Sequence, residues 1–256
     1  MNMPLFKMFI KKNWMILAGF TLFFLFELLA CVFLMEMIDG MGFLGIGGGE
    51  EKVMSTGEKT IFYMSTVMPL LGYMFPMVFY IFIVYRIIFR PIDTTSLSPV
   101  LASGVKRKEY IATAAMFLIV SLVVMFSTIF VVCGISMLYL GSFDWGKWAF
   151  MCYSVALSTT AVAFISFFFA SAFAPGNLSK LGMIGLPILF LVIFMAGVQA
   201  ESEILMKLVP FGWKDLTDLA FGFPKLWWLW DIIFLSIISI LITASIVLFK
   251  RKQLSI

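Results

Sequence analysis

An all-α, polytopic membrane protein with six transmembrane helices is the fold this sequence predicts, and three observations carry it. Hydrophobic residues make up 62% of the 256 residues and charged ones only 12%, at a mean hydropathy of +1.08, which leaves too little polar surface for a chain facing water on all sides. The apolar residues fall in six runs of about 20 residues or more, enough at ~1.5 Å per residue for each to cross a ~30 Å hydrocarbon core as a helix. The runs lack the alternation of barrel strands, and a helix is the other way to pair every backbone polar group inside lipid.

The elements follow in order. From Pro4 to Trp14, Leu5, Phe6, Met8, Phe9 and Ile10 are interleaved with Lys7, Lys11 and Lys12, a pattern that predicts a short amphipathic helix on the inner leaflet, an elbow into the first span. The run after it is too long for a secretory signal and has no small-residue cleavage pattern behind it, so it reads as a retained helix. Spans are expected over roughly 14–35, 65–89, 111–140, 148–173, 181–199 and 228–249, within a single transmembrane domain covering 1–256. The stretch from Tyr110 to Leu140 is long enough to require tilt or projection beyond the bilayer.

Three connections stand out. The loop from Glu36 to Lys59, with Gly47, Gly48 and Gly49, has the composition of a flexible linker. The loop from Arg86 to Tyr110 contains Ser98 before Pro99 and then Gly104, which predicts a short helix over Pro99–Ser103 with Ser98 as its cap and Gly104 as its stop. In the stretch from Ala200 to Trp228, Ile204, Leu205, Leu208 and Val209, then Leu216, Leu219 and Ala220, recur at helical spacing around Pro210 and Gly212. Two short interfacial or re-entrant helices are expected there, with Trp227, Trp228 and Trp230 at the headgroup level where the last span begins.

Orientation comes from the basic residues. With both termini inside, the inner segments hold twelve of the 18 Lys and Arg residues against Asp93 and Glu109, while the outer segments hold six basic and eleven acidic residues. Retention of Lys and Arg in the cytoplasm therefore predicts a multi-pass protein of the cell membrane with both termini cytoplasmic.

Chemistry-bearing constellations are few. His is absent, and Cys31, Cys133 and Cys152 all lie in apolar runs without metal or disulfide spacing. Gly57-Glu58-Lys59-Thr60 lacks the spacing of a phosphate-binding loop and falls on the outer side. No catalytic residue, metal, bound cofactor or nucleic-acid partner is expected, and any use of ATP requires another subunit.

Glu27 is the acidic residue well inside a span. A charge there costs at least ~2.5 kcal/mol, which leaves three readings: a neutral carboxyl bonded to hydroxyls of the fourth span (Ser154, Ser158, Thr159, Thr160 or Ser166), a place on a transport path or subunit contact, or exposure to lipid. Pro69 and Pro76 lie seven residues apart around Gly72, and Pro187 follows Gly182 and Gly185; kinks there suit a gate, although membrane helices tolerate both residue types. The 19 Met and 30 Phe residues suit varied greasy ligands, and lipid-facing surface explains them equally well. Lys106, Arg107 and Lys108 hold topology and attract anionic lipid, or dock a partner.

Taken together, the amphipathic elbow, the six spans with both ends inside, the inner loop SLSPVLASGVKRKEYIATAA and the broken outer helices resemble a permease subunit of the ABC-2 transporter family over nearly the whole chain. The resemblance implies a dimer of two permease copies, identical or related, on separate ABC ATPase subunits that bind ATP and Mg. It assigns the coupling helix to Leu97, Ser98, Pro99, Val100, Leu101 and on to Ser103, aided by Lys106 and Arg107. It also brings Glu27 and Pro187 near the midline, with Pro69 and Pro76 in the second span beside the path. The Met- and Phe-rich spans are similar to those of permeases that export phenol-soluble modulins, so the implied substrate is a hydrophobic or amphipathic peptide. Two other classes compete: an ion-coupled secondary transporter using Glu27, and a non-transporting immunity or anchor protein.

Overall fold

The computed structural model describes residues 2–40, 56–140, 144–173, 175–214, 216, 219 and 222–251. Among them all regular structure is helical, and six helices are long and apolar enough to cross a membrane. Each expected span has its counterpart, most of them longer than predicted. The glycine-rich part of the first loop, 41–55, lies outside the described residues.

The first helix, α1, runs unbroken over Met3–Gly40. The expected elbow is therefore not a separate helix but the first turns of the span itself. Its apolar stripe is spent on protein contacts: Leu5 and Phe9 are buried, and Phe9 meets Tyr110 and Phe117 at ring separations of 5.7 and 5.9 Å, while Lys7, Lys11 and Lys12 stay exposed on the other side.

The second span is α2, Thr56–Val84, followed without a break by a π-helical turn, Tyr85–Phe89, and α3, Arg90–Asp93. Pro91 explains the wide turn. A proline has no N–H for the carbonyl four residues back and its ring crowds that carbonyl; opening one turn to i→i+5 bonding, with Arg90 N–H donating to the Tyr85 carbonyl, eases the crowding. The Ile87 carbonyl that Pro91 cannot serve accepts instead from Tyr110 Oη. Pro76 is handled in the same way. It sits inside α2 with no kinked turn, and the carbonyl it releases, that of Gly72, accepts from Thr159 Oγ1 at 3.3 Å. The fifth span repeats the wide-turn pattern: α7, Asn177–Lys180, leads into a second π turn, Leu181–Gly185, and then α8, Leu186–Gln199, with Pro187 two residues after the turn.

The short helix of the 86–110 loop exists as α4, Ser98–Ala102. It starts one residue before the predicted position, and its cap differs from expectation. Ser98 is the first helical residue, no side chain caps the start, and the Leu97 carbonyl accepts from Leu101 N–H at 3.0 Å. Gly104 does end the segment, at φ +88°, a conformation that costs glycine nothing. The third span is α5, Arg107–Leu140, and the fourth is α6, Trp145–Ala172, capped by Asp144, whose Oδ1 accepts from Gly146 and Lys147 N–H. Beyond α8 come α9, Glu203–Lys207, a 3-10 turn at Pro210–Gly212, and the last span, α10, Trp227–Arg251. Of the two short helices expected between spans five and six, the first is α9; the second falls largely on residues outside the described ones.

Helix α6 is the centre of the bundle, packed by α2, α5, α8 and α10, while α1 lies outside on α5 and α2. Two-thirds (67%) of the apolar window of α6 is buried, against 22% for α1 and α10. Small residues permit this. A Cβ on Gly72 would lie 2.6 Å from Val155, and one on Gly182 would lie 2.0 Å from the Phe169 ring, so α2 and the fifth span touch α6 only because both positions are glycine. At the end of the bundle that carries the termini and α4, the basic end, Lys180 Nζ sits 5.8 Å over the Phe89 ring and ties the fifth span to the second.

A double-mutant cycle tests the proline accounting. Tyr110→Phe should cost about 1–3 kcal/mol by leaving the buried Ile87 carbonyl without a donor. Adding Pro91→Ala, which supplies the missing N–H, should restore most of that loss in thermal unfolding of the detergent-solubilised protein.

Candidate functional site

Two places carry the features that the sequence singles out, one at each end of the bundle. At the far end, the segment from α9 to Lys214 folds back between α2, α8 and α10. Its tight passage depends on Gly212, where a Cβ would meet the Met206 carbonyl oxygen at 2.1 Å. Aromatic rings hold it: Phe211 stacks on Tyr73 at 4.3 Å, Trp213 on Phe234 at 5.4 Å, and Trp213 Nε1 donates to the Lys207 carbonyl at 3.0 Å. Tyr73 Oη donates to the Phe211 carbonyl at 2.9 Å and accepts from Ser158 Oγ at 3.4 Å, so this backbone is fastened through α2 to α6.

Beneath the segment is a cavity of about 120 Å³ whose walls include Ser65, Pro69 and Tyr73 of α2, Phe194 of α8, Met206 of α9, and Lys214. Pro69, one of the predicted path residues, thus borders an internal space. Pro76 and Pro187 are buried in helix packing and do not reach it.

Lys214 is the side chain that sequence reasoning missed. Its side chain is 2% exposed and its ammonium pairs with Asp231 of α10, itself only 12% exposed. The same Nζ donates to Ser154 Oγ at 3.4 Å and lies 5.5 and 5.1 Å from the Phe150 and Tyr153 rings. Burial pushes the Lys214 pKa below that of an ordinary lysine, and Asp231 opposes that shift. In the sequence both residues read as outer charges, and a pairing between residues 17 apart leaves no periodic signal. A desolvated ion pair of this kind adds little net stability, but losing one partner is expensive. Its effect is to fix where the folded-back segment seats on α10.

Glu27 is half-buried on α1, and four of the five expected hydroxyl partners in the fourth span are engaged elsewhere. Ser154 accepts from Lys214, Ser158 donates to the Tyr73 hydroxyl, Thr159 bonds the Gly72 carbonyl and Thr160 the Ala156 carbonyl. Ser166 Oγ is buried without a partner among the described residues. The physical reason is the packing order, since α1 sits on α5 and α2 rather than on α6.

At the basic end, α4 stands on the bundle. Leu97 is buried at 3% exposure, and Val100 and Leu101 are half-buried against the core. Pro99, Ala102, Ser103 and Lys106 are exposed, with Arg107 half-buried at the start of α5. Of the residues predicted to couple to a partner, then, Leu97, Val100 and Leu101 anchor the helix, and Pro99, Ala102, Ser103 and Lys106 form its outward surface.

Compared with protein-family models, curated proteins and solved structures, the chain matches none.

Lys214→Met should lower stability by about 3–5 kcal/mol by stranding Asp231. Lys214→Met with Asp231→Leu should recover most of it. The swap Lys214→Asp with Asp231→Lys should recover less, because a carboxylate at 214 would face the negative ring faces of Phe150 and Tyr153. Thermal unfolding in detergent reads all three.

Proposed function

We propose that this chain is the membrane permease subunit of an ATP-driven exporter of the ABC-2 type, without an active site of its own, working in the cell membrane as one of two permease copies on a separate ATPase that binds ATP and Mg. The observation that carries the reading is α4. A five-residue helix is too short to persist in water alone, yet here it is seated on the bundle by Leu97 and Leu101 and holds Pro99, Ala102 and Ser103 outward beside the basic run 106–108. A soluble motor gripping that knob would push on α3 and the first π turn behind it. Two spans carrying a wide turn next to a proline, joined at the basic end through Lys180 and Phe89, give such a push something to bend. The substrate class that suits the Met- and Phe-rich spans is a hydrophobic or amphipathic peptide leaving the cell.

The outward residues supply the test. Leu101→Asp would disturb the packing of α4, so Ala102→Asp and Pro99→Asp are the informative substitutions. Each should leave membrane insertion and expression unchanged and weaken co-purification with the partner ATPase about tenfold or more, with a matching loss of ATP-driven peptide transport in vesicles. Full transport by Ala102→Asp would overturn the docking role. Transport by this chain without any ATPase, abolished by Glu27→Gln, would replace the reading with an ion-coupled one.

Orientation is checked separately. After replacement of the three native cysteines, Ser103→Cys should react with a membrane-impermeant thiol reagent only from the cytoplasmic side, and Phe223→Cys only from outside.

A further inference from the structure

A second cavity, of about 140 Å³, opens at the basic end where α1, the first π turn and the loop into α4 meet, bounded among others by Lys12, Asn13, Arg86, Leu97 and Tyr110. Two cations contribute to its wall and no carboxylate does. Neither Lys12 nor Arg86 pairs with a carboxylate anywhere among the described residues, so the described residues bring this wall positive charge and no counter-charge. Arg86 reaches this position from inside the wide turn that Pro91 enforces and Tyr110 supports.

A third side chain points to a ligand rather than to charge alone. Asn13 is fully buried, and its Nδ2 donates to the Phe9 carbonyl at 2.9 Å. Because that carbonyl only accepts, the orientation of the amide is fixed. Its Oδ1 then has no donor among the described residues, a cost that a buried acceptor bears unless something brings it a hydrogen. A guanidinium fork, an ammonium and an unserved acceptor in one cavity fit an anion that also carries a hydroxyl.

We propose that this cavity binds a phosphate ester bearing a free hydroxyl, with the phosphate held by Arg86 and Lys12 and the hydroxyl donating to Asn13 Oδ1. Two sources share that chemistry: the headgroup of an anionic glycerophospholipid and a soluble polyol phosphate. Occupancy would tie α1 to the loop that carries α4, since Leu97 and Val100 form part of the same wall. The site goes beyond the exporter reading and stands or falls without it.

The full-length protein in detergent, titrated with phosphatidylglycerol, phosphatidylcholine and glycerol 3-phosphate and followed by native mass spectrometry, provides the test. Phosphatidylglycerol should bind and phosphatidylcholine should not. Lys12→Gln with Arg86→Gln should weaken binding about ten- to a hundredfold, and Asn13→Leu about three- to tenfold. Lys106→Gln with Lys108→Gln, basic changes outside the cavity, should leave it unchanged. Lys12→Gln alone, at an exposed position, should still weaken binding and puts no fold at risk. Glycerol 3-phosphate binding that is lost in the same variants would identify a soluble ester as the ligand, and failure of glycerol 3-phosphate to bind would identify the lipid. Wild-type affinity in the Lys12 and Arg86 variant, or an equal loss in the Lys106 and Lys108 variant, would overturn the site; an unchanged Asn13→Leu would overturn the hydroxyl contact.

Discussion

A carbonyl that proline releases inside hydrocarbon has no water to turn to, and the arrangement of this bundle depends on finding it a donor. Thr159 serves the Gly72 carbonyl freed by Pro76, and Tyr110 serves the Ile87 carbonyl freed by Pro91. Both donors come from another helix, so each proline specifies a neighbour. The first joins α2 to α6; the second joins the end of the second span to the start of the third. Once those contacts are set, α6 has to lie close to α2, and glycine at 72 is the residue that lets it.

The same contacts divide the molecule into a firm middle and two furnished ends. Around α6 the hydroxyls are mostly committed to neighbouring carbonyls or to Tyr73, which leaves the cavities to form where helices diverge. At the far end an aromatic stack and one buried ion pair close the space over Pro69. At the basic end a short helix and two cations with no carboxylate partner among the described residues frame another. Wide turns with a proline just beyond them occur in the two spans that meet at that end, and the first of them shares the wall of that cavity with Leu97 and Val100.

Much of this was legible in the chain itself. Continuous apolar runs locate all six spans because span length is imposed by the bilayer, and Ser98, Pro99 and Gly104 locate α4 because helix starts and stops are chemistry local to a few residues. The cap differs for the same local reason: serine before proline is a good cap in isolation, but here Leu97 already has helical backbone angles and Ser98 lies inside the helix, its N–H donating to the Thr95 carbonyl. The elbow was expected to lie on lipid, yet its greasy stripe found Tyr110 and Phe117 instead. Pairings between helices leave no period in a sequence. One of the three readings of Glu27 pairs it with the hydroxyls of a helix other than the two that α1 packs against, and Lys214 and Asp231 read in the sequence as two separate outer charges, which the fold-back places one on the other. Pro91 read as a loop residue, although it governs the end of a span.

The position of Lys214 has a bearing on how the molecule is made. It leaves the ribosome 17 residues ahead of Asp231, so for part of synthesis the segment holds a lysine whose buried seat has no counter-charge. Until the last helix enters the bilayer, water is the better environment for that ammonium, and the segment is held open. This end of the bundle therefore closes only once α10 is in place, because Asp231 is the counter-charge that makes the buried seat of Lys214 tolerable.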